Sequence, residues 1–310
     1  MTGLRGCGRS RREGAPRRHT GGVGTTSGLV GGPARGRVAS AGRPLAALGV
    51  LAVLAIGRWY VPAPTAGAVI ASSVLVSLLA LVTGALIAAP EHPFLRQVPP
   101  TRSLNALLGG VVVGAGAVSV ASGLLVASST YRRGLEPSPP LSIIAALAAF
   151  ALATAVIEEV AFRGVLFSLV DRIGGPLVAL ATTSIAFGLV HVFNPASSPW
   201  ACVALALGPG LLFGALVVRT RRLLSAVAAH AAWNGTQILT GGPVSGIRLP
   251  GLAVVEVSGP VLLTGGAFGI EGSVVLVATS ALASFLLLRS PGGAWRGLRR
   301  ASGARLGSSG

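Results

Sequence analysis

Lysine is missing from this chain: all 25 basic residues are arginine, a usage that reads as codon bias rather than chemistry. Aspartate occurs once, at Asp171, and charged residues of all kinds make up only 11% of 310 positions. Cysteine is limited to Cys7 and Cys202, too few for a disulfide framework or a cysteine-rich metal site. Aromatic residues are scarce at 5%, and the arginines avoid the apolar runs. The net charge of +17 therefore does not describe a nucleic-acid surface, and no nucleic-acid partner is expected. Three catalytic signatures are absent as well. Without Gly-x-Ser-x-Gly there is no rhomboid-type serine, and without Gly-x-Gly-Asp no presenilin-like aspartyl site. Without His-Glu-x-x-His there is no zinc-binding helix of the common metalloprotease kind.

Hydrophobicity is what the chain has in plenty: 52% apolar residues and a mean hydropathy of +0.75. Roughly 20 apolar residues cross the hydrocarbon core of a bilayer, and uncharged stretches of that order recur from Pro44 onward. Eight apolar segments are read, at about 45–61, 66–89, 104–128, 141–170, 176–193, 200–218, 222–240 and 273–288. The expected fold class is all-α, a polytopic membrane helix bundle with about eight transmembrane helices within residues 44–289. Residues 1–43 carry nine arginines among Gly, Ser and Thr and are expected to form a disordered cytoplasmic tail. Residues 290–310 make a second basic tail. Arg11-Arg12 does not lead directly into an apolar run, which speaks against a twin-arginine export signal and for an uncleaved first anchor. Residues 241–272, rich in Gly and Pro and holding Glu256, read as an irregular outer loop. Gly110-x-x-x-Gly114 and Gly210-x-x-x-Gly214 would let helices approach closely, although among 45 glycines such spacings also arise by chance.

Arginine placement gives the expected orientation. With the N-terminus inside, the inner segments hold twenty arginines and the outer ones only Arg58, Arg132, Arg133 and Arg248, with Arg163 buried. The positive-inside rule then places both termini in the cytoplasm of a cell whose inner membrane the chain crosses many times.

Ionisable residues inside the apolar runs are costly and mark function by default. They concentrate at Glu158, Glu159 and Arg163, at His191, and at His230 with Asn234. Glu159 and Arg163 are i and i+4 on a helix, with Glu nearer the N-terminus, the favoured order for an ion pair. Glu158 lies about 100° away around the helix and is left free to accept a proton. A purely structural ion network would not explain that second, unpaired glutamate. Phe187 precedes His191 by four residues and His230 precedes Asn234 by four, so each pair shares a helix face. One Glu, two His and one Asn supply the parts for amide hydrolysis: a base, a partner for water, and donors for an oxyanion. The same set could hold zinc through two His and one Glu with an open position. With the N-terminus inside, Glu158 falls in the inner half of its segment and His191 at the outer end of the next. That height difference exceeds the reach of side chains, so segment 141–170 is expected to be tilted or broken, or the boundaries to lie elsewhere.

Taken in order, Glu158-Glu159-x-x-x-Arg163, Phe187-x-x-x-His191 and His230-x-x-x-Asn234 resemble the CAAX prenyl protease and bacteriocin-processing family, also called CPBP or Abi. The flanking runs EEVAFRG, HAAWN and LTGGAFGIEG look like its bacterial members. The resemblance covers about residues 141–240. It implies an intramembrane endopeptidase acting on a peptide or membrane-protein substrate, with Glu158 as general base and His191 as its partner on water. His230 and Asn234 would bind the oxyanion, and Glu159, Arg163 and Phe187 would support them. No cofactor and no metal are implied. A non-catalytic immunity or scaffold protein on the same fold is the competing expectation, and a transporter, for which no internal repeat is visible, comes third.

Overall fold

The computed structural model describes residues 46–53, 65–87, 100–135, 139–251 and 253–289. The two basic tails, and most of the first apolar segment with Arg58, lie outside the described residues. Helices dominate. After a short helix over residues 46–53 (α1) come α2 (Ala66–Ile87), α3 (Pro100–Ala127) and α4 (Leu141–Glu159). A wide π turn (Val160–Leu166) joins α4 to α5 (Phe167–Val190), and a single 3-10 turn, His191–Phe193, follows. Next are α6 (Pro199–Leu205), a second π turn (Ala206–Gly210), α7 (Leu211–Thr220) and α8 (Leu223–Leu239). The chain closes through the one-turn α9 (Val261–Thr264), two 3-10 turns, and α10 (Val274–Arg289).

Among the described residues four helical stretches are long and apolar enough to cross a membrane: Ala66–Ala85, Ser103–Ala127, Leu141–Phe193 and Pro199–Thr220. The third runs for 53 residues and is broken at Gly175, whose φ of 80° no L side chain adopts easily. Pro176 follows, unable to donate a backbone hydrogen bond, so the sequence itself supplies the turn between two legs. Helices α8 and α10 have 17 and 16 residues, short of a flat crossing of roughly 20. Outward-facing Val112, Leu152, Ile185, Leu189 and Leu282 stay half-exposed or more, as apolar side chains do where lipid is the solvent.

Segment 241–272 is more ordered than an irregular loop. Residues Ala253–Val257 form β2, which pairs antiparallel with β1 (Tyr131–Leu135) and sets Arg132 opposite Glu256. Opposite charges on facing strand positions favour that register. The 3-10 turns Gly266–Phe268 and Ile270–Gly272 then tuck Phe268, Ile270 and Glu271 inside. The composition rich in Gly and Pro concealed a strand whose partner lies over a hundred residues away.

Of four buried apolar clusters among the described residues, two join most of the helices. The larger joins α3, α5, α7, α8 and α10 around Leu125, Phe167, Phe213, Leu216 and Trp233. The smaller joins α1, α2 and α4 through Leu51, Ala80, Val156, Ile157 and Val160. Helices α3 and α8 form the most extensive pair. At Gly110 and Gly114 an added Cβ would overlap the carbonyl oxygens of Ser225 and Ala229, so this glycine pair is a true close-approach surface.

Candidate active site

Four of these elements bring the intramembrane polar residues together. Helix α4 presents Glu158 and Glu159 on its last turn, and the π turn carries Arg163. Single-turn π segments recur at functional sites because the extra residue re-aims side chains without ending the helix. The second leg of α5 ends at His191, and α8 carries His230 and Asn234 one turn apart.

The difference in height expected between Glu158 and His191 is not found. The helix from α4 continues past residue 170 to the break at Gly175. Glu158 lies 17 residues before that break and His191 16 residues after it, about 25 Å along each leg at 1.5 Å per residue. Equal legs put the two side chains level. The error lay in ending the fourth segment at 170, because Asp171 and Arg172 look like a loop while they in fact sit on the helix.

Arg163 is fully buried and is held on several sides. Its Nη1 donates to Glu159 Oε1 at 2.8 Å and its Nη2 donates to the Gly210 carbonyl at 2.8 Å. The guanidinium also lies 4.5 Å from the Phe187 ring centre and 5.7 Å from that of Phe213. Gly210 closes the π turn that contains Pro209, so a sequence feature resembling a helix defect places a carbonyl acceptor against the arginine. Sequence reading did not find this contact. A proline within an apolar run was the available signal.

Glu159 accepts a second hydrogen bond at the same oxygen, with His230 Nδ1 at 2.9 Å. A carboxylate only accepts, so His230 Nδ1 is the donor. His191 Nδ1 lies 2.7 Å from the Phe187 carbonyl, which also only accepts, so it too donates. Both rings therefore have Nδ1 engaged and turn Nε2 toward Glu158. His191 Nε2 and His230 Nε2 each stand 3.9 Å from Glu158 Oε2. The aromatic surroundings fix the rings: Phe213 stacks on His230 with centroids 4.8 Å apart, and Phe187 packs 4.9 Å from His191.

Four buried atoms at this place make no hydrogen bond to protein: Glu158 Oε2, Glu159 Oε2, Arg163 Nε and Asn234 Nδ2. A buried polar atom left unmatched costs free energy, so it is usually matched by water or a ligand. Glu158 is also the accessible member, its side chain 18% exposed while Glu159 and Arg163 show none. An apolar cavity of about 130 Å³ lies between α4 and α8 around Ile144, Leu147 and Gly235. It sits three to four helical turns from Glu158 and is a separate feature.

One comparison with known proteins picks out the same stretch. Residues 140–236 match the family described as type II CAAX prenyl endopeptidase, Rce1-like. This part of the chain resembles a CAAX protease. The match covers about a third of the chain, from the start of α4 to two residues past Asn234, and so includes every polar residue assembled above. No curated protein and no solved structure matches the chain. A CAAX-protease-like domain with a buried Glu–His–Arg network is thus present in a largely helical protein of multi-pass membrane character.

Proposed function

We propose that this protein is a bacterial intramembrane endopeptidase of the CPBP type, hydrolysing peptide bonds of membrane-associated substrates with a water activated by Glu158. One observation carries the reading: a buried, unbonded oxygen of a carboxylate whose side chain is partly exposed faces two imidazole Nε2 atoms whose Nδ1 atoms are already committed. Atoms 3.9 Å apart are too far to bond directly and near enough for one water to bond both. Such a water donates one proton to Glu158 and one to His191 Nε2. As its oxygen attacks the scissile carbonyl, Glu158 takes the proton and later delivers it to the leaving amine. Asn234 Nδ2 and a doubly protonated His230 donate to the oxyanion, with Glu159 balancing the imidazolium.

The spacing supports water over a metal. Two ligands on a tetrahedral zinc at ~2.0–2.1 Å stand about 3.4 Å apart, so each of the two 3.9 Å separations from Glu158 Oε2 to an imidazole Nε2 would have to shorten by roughly 0.5 Å to hold one.

Counting the two legs of Leu141–Phe193 separately and treating α8 and α10 as short spans gives seven, and the apolar segment at 45–61, of which only residues 46–53 are described, supplies the eighth of the proposed arrangement. The arginine distribution supports both termini in the cytoplasm. The match supports an S-prenylated peptide ending in a CAAX box as the first probe. Purified protein in liposomes should hydrolyse a quenched-fluorescent, S-farnesylated CAAX peptide, and Glu158→Gln should abolish the signal. Membrane-peptide proteomics of a deletion strain against one carrying Glu158→Gln extends the test to native substrates. Wild-type activity retained by Glu158→Gln in both assays would remove Glu158 as the base, and a wild type without activity in either would leave the scaffold reading in its place.

A further inference from the structure

Glu271 is a buried carboxylate that the proposed chemistry does not use, and it lies beyond the stretch that resembles a CAAX protease. Its bonds lead to both halves of the site. Oε1 accepts from Trp233 Nε1 at 2.7 Å, and Trp233 is the neighbour of Asn234 on α8. Oε2 accepts from the Ser245 backbone N–H at 2.6 Å and from Ser245 Oγ at 3.0 Å. The Ser245 carbonyl in turn accepts from Asn194 Nδ2 at 2.9 Å, three residues past His191. One buried carboxylate and one serine thus join the end of the His191 segment to the helix of His230 and Asn234.

Two further features show that the connection is built rather than incidental. Ser245 has φ of 48°, a left-handed conformation unfavourable for serine, which persists only where surrounding bonds over-determine it. Its neighbour Gly246, at φ of 85°, donates to the Phe268 carbonyl, and a Cβ there would overlap the Pro195 carbonyl. The strained turn is therefore wedged between the loop after His191 and the turn before Glu271. Trp233 also packs edge-on to Phe213 at 5.7 Å, and Phe213 stacks on His230. Glu271 consequently bears on His230 along a second line of contact.

We propose that Glu271 is a positioning residue: through Ser245–Asn194 and through Trp233 it sets His191 against His230 and Asn234. The catalytic consequence rests on the proteolytic reading given above, whereas the geometric consequence does not. The chain has four histidines, so selective ¹⁵N-histidine labelling with single substitutions assigns the ring nitrogens of His191 and His230.

In Glu271→Gln, an amide N–H₂ replaces one acceptor, and the ring ¹⁵N signals of both histidines should shift or broaden while helical content stays at the wild-type level. On the farnesylated CAAX peptide, kcat should fall roughly tenfold or more with KM within about twofold, as expected for displaced rather than missing groups. Trp233→Phe removes the N–H donor together with part of the ring while keeping an aromatic side chain; it serves if Glu271→Gln does not fold, and should shift the His230 signals in the same way. Histidine signals unchanged in the folded variants, with only the melting temperature lowered, would overturn the proposal. Failure of wild type to cleave the peptide counts against the proteolytic reading alone, because the ring signals test the clamp without it.

Discussion

Gly114 on α3 faces Ala229 on α8 so closely that a single added methyl group would overlap the Ala229 carbonyl oxygen. The neighbouring residue on α8 is His230, so the helix contact fixes the depth and rotation of a site residue. Gly114→Ala should therefore push α8 outward, cost about 1–3 kcal/mol of stability as over-packing does, and depress hydrolysis with it. Gly116 lies on the same helix with nothing within 4 Å of where its Cβ would be. Gly116→Ala should leave both properties near wild type. Thermal melting in detergent and a peptide-hydrolysis assay on the pair check this, and equal behaviour of the two variants would refute the close-packing role.

The two adjacent glutamates should separate cleanly under substitution. Glu158→Gln keeps the side-chain shape and removes the base, so hydrolysis should drop by roughly 10²-fold or more at near wild-type melting temperature. Arg163→Leu leaves Glu159 charged and buried with only His230 as partner, and breaking a buried pair costs about 3–5 kcal/mol. Its melting temperature should fall sharply and expression with it. A Glu158→Gln variant as unstable as Arg163→Leu, with activity unaltered, would mean that the glutamates form only a structural network.

Much of this site was legible from spacing. Helix phase alone separates Glu158 from the Glu159–Arg163 pair, because i and i+4 positions meet and adjacent positions diverge. What spacing could not provide was the second acceptor role of Glu159 toward His230, which requires knowing that α8 packs against the end of α4. The depth conflict had a local cause: Asp171 and Arg172 were read as a loop, whereas the chain turns at Gly175-Pro176, where φ and the missing N–H demand it. Glu271 was visible only as part of a familiar-looking run. Its partners Trp233 and Ser245 stand 38 and 26 residues away, beyond any periodic pattern. Long-range polar contacts of this kind leave no trace in hydrophobic periodicity.

Topology offers a test independent of chemistry. Twenty arginines in the segments expected to be inner against four in the outer ones predict that both termini face the cytoplasm. Reporter fusions at Gly310 should then give a cytoplasmic signal, and insertions within 241–252 an external one. An external C-terminus would defeat the even-numbered span count and reverse the side from which substrate approaches.

Metal dependence separates a glutamate-activated water from a metal-bound hydroxide. Both histidines spend Nδ1 on protein acceptors, at Phe187 and Glu159, so when neutral each offers only an Nε2 lone pair toward Glu158. Two lone pairs and a carboxylate converging on one point call for either protons or a cation. The 3.9 Å separations suit a hydrogen-bonded water with a protonated His230, since a zinc at ~2.0–2.1 Å from each ligand would draw the three groups closer together. Purified protein should therefore keep its hydrolytic activity after exhaustive chelation and contain well below one zinc per chain by elemental analysis. Activity lost on chelation and restored by Zn²⁺, with about one zinc per chain, would reassign Glu158, His191 and His230 as metal ligands. The proton-accepting role would then pass from Glu158 to the metal-bound water.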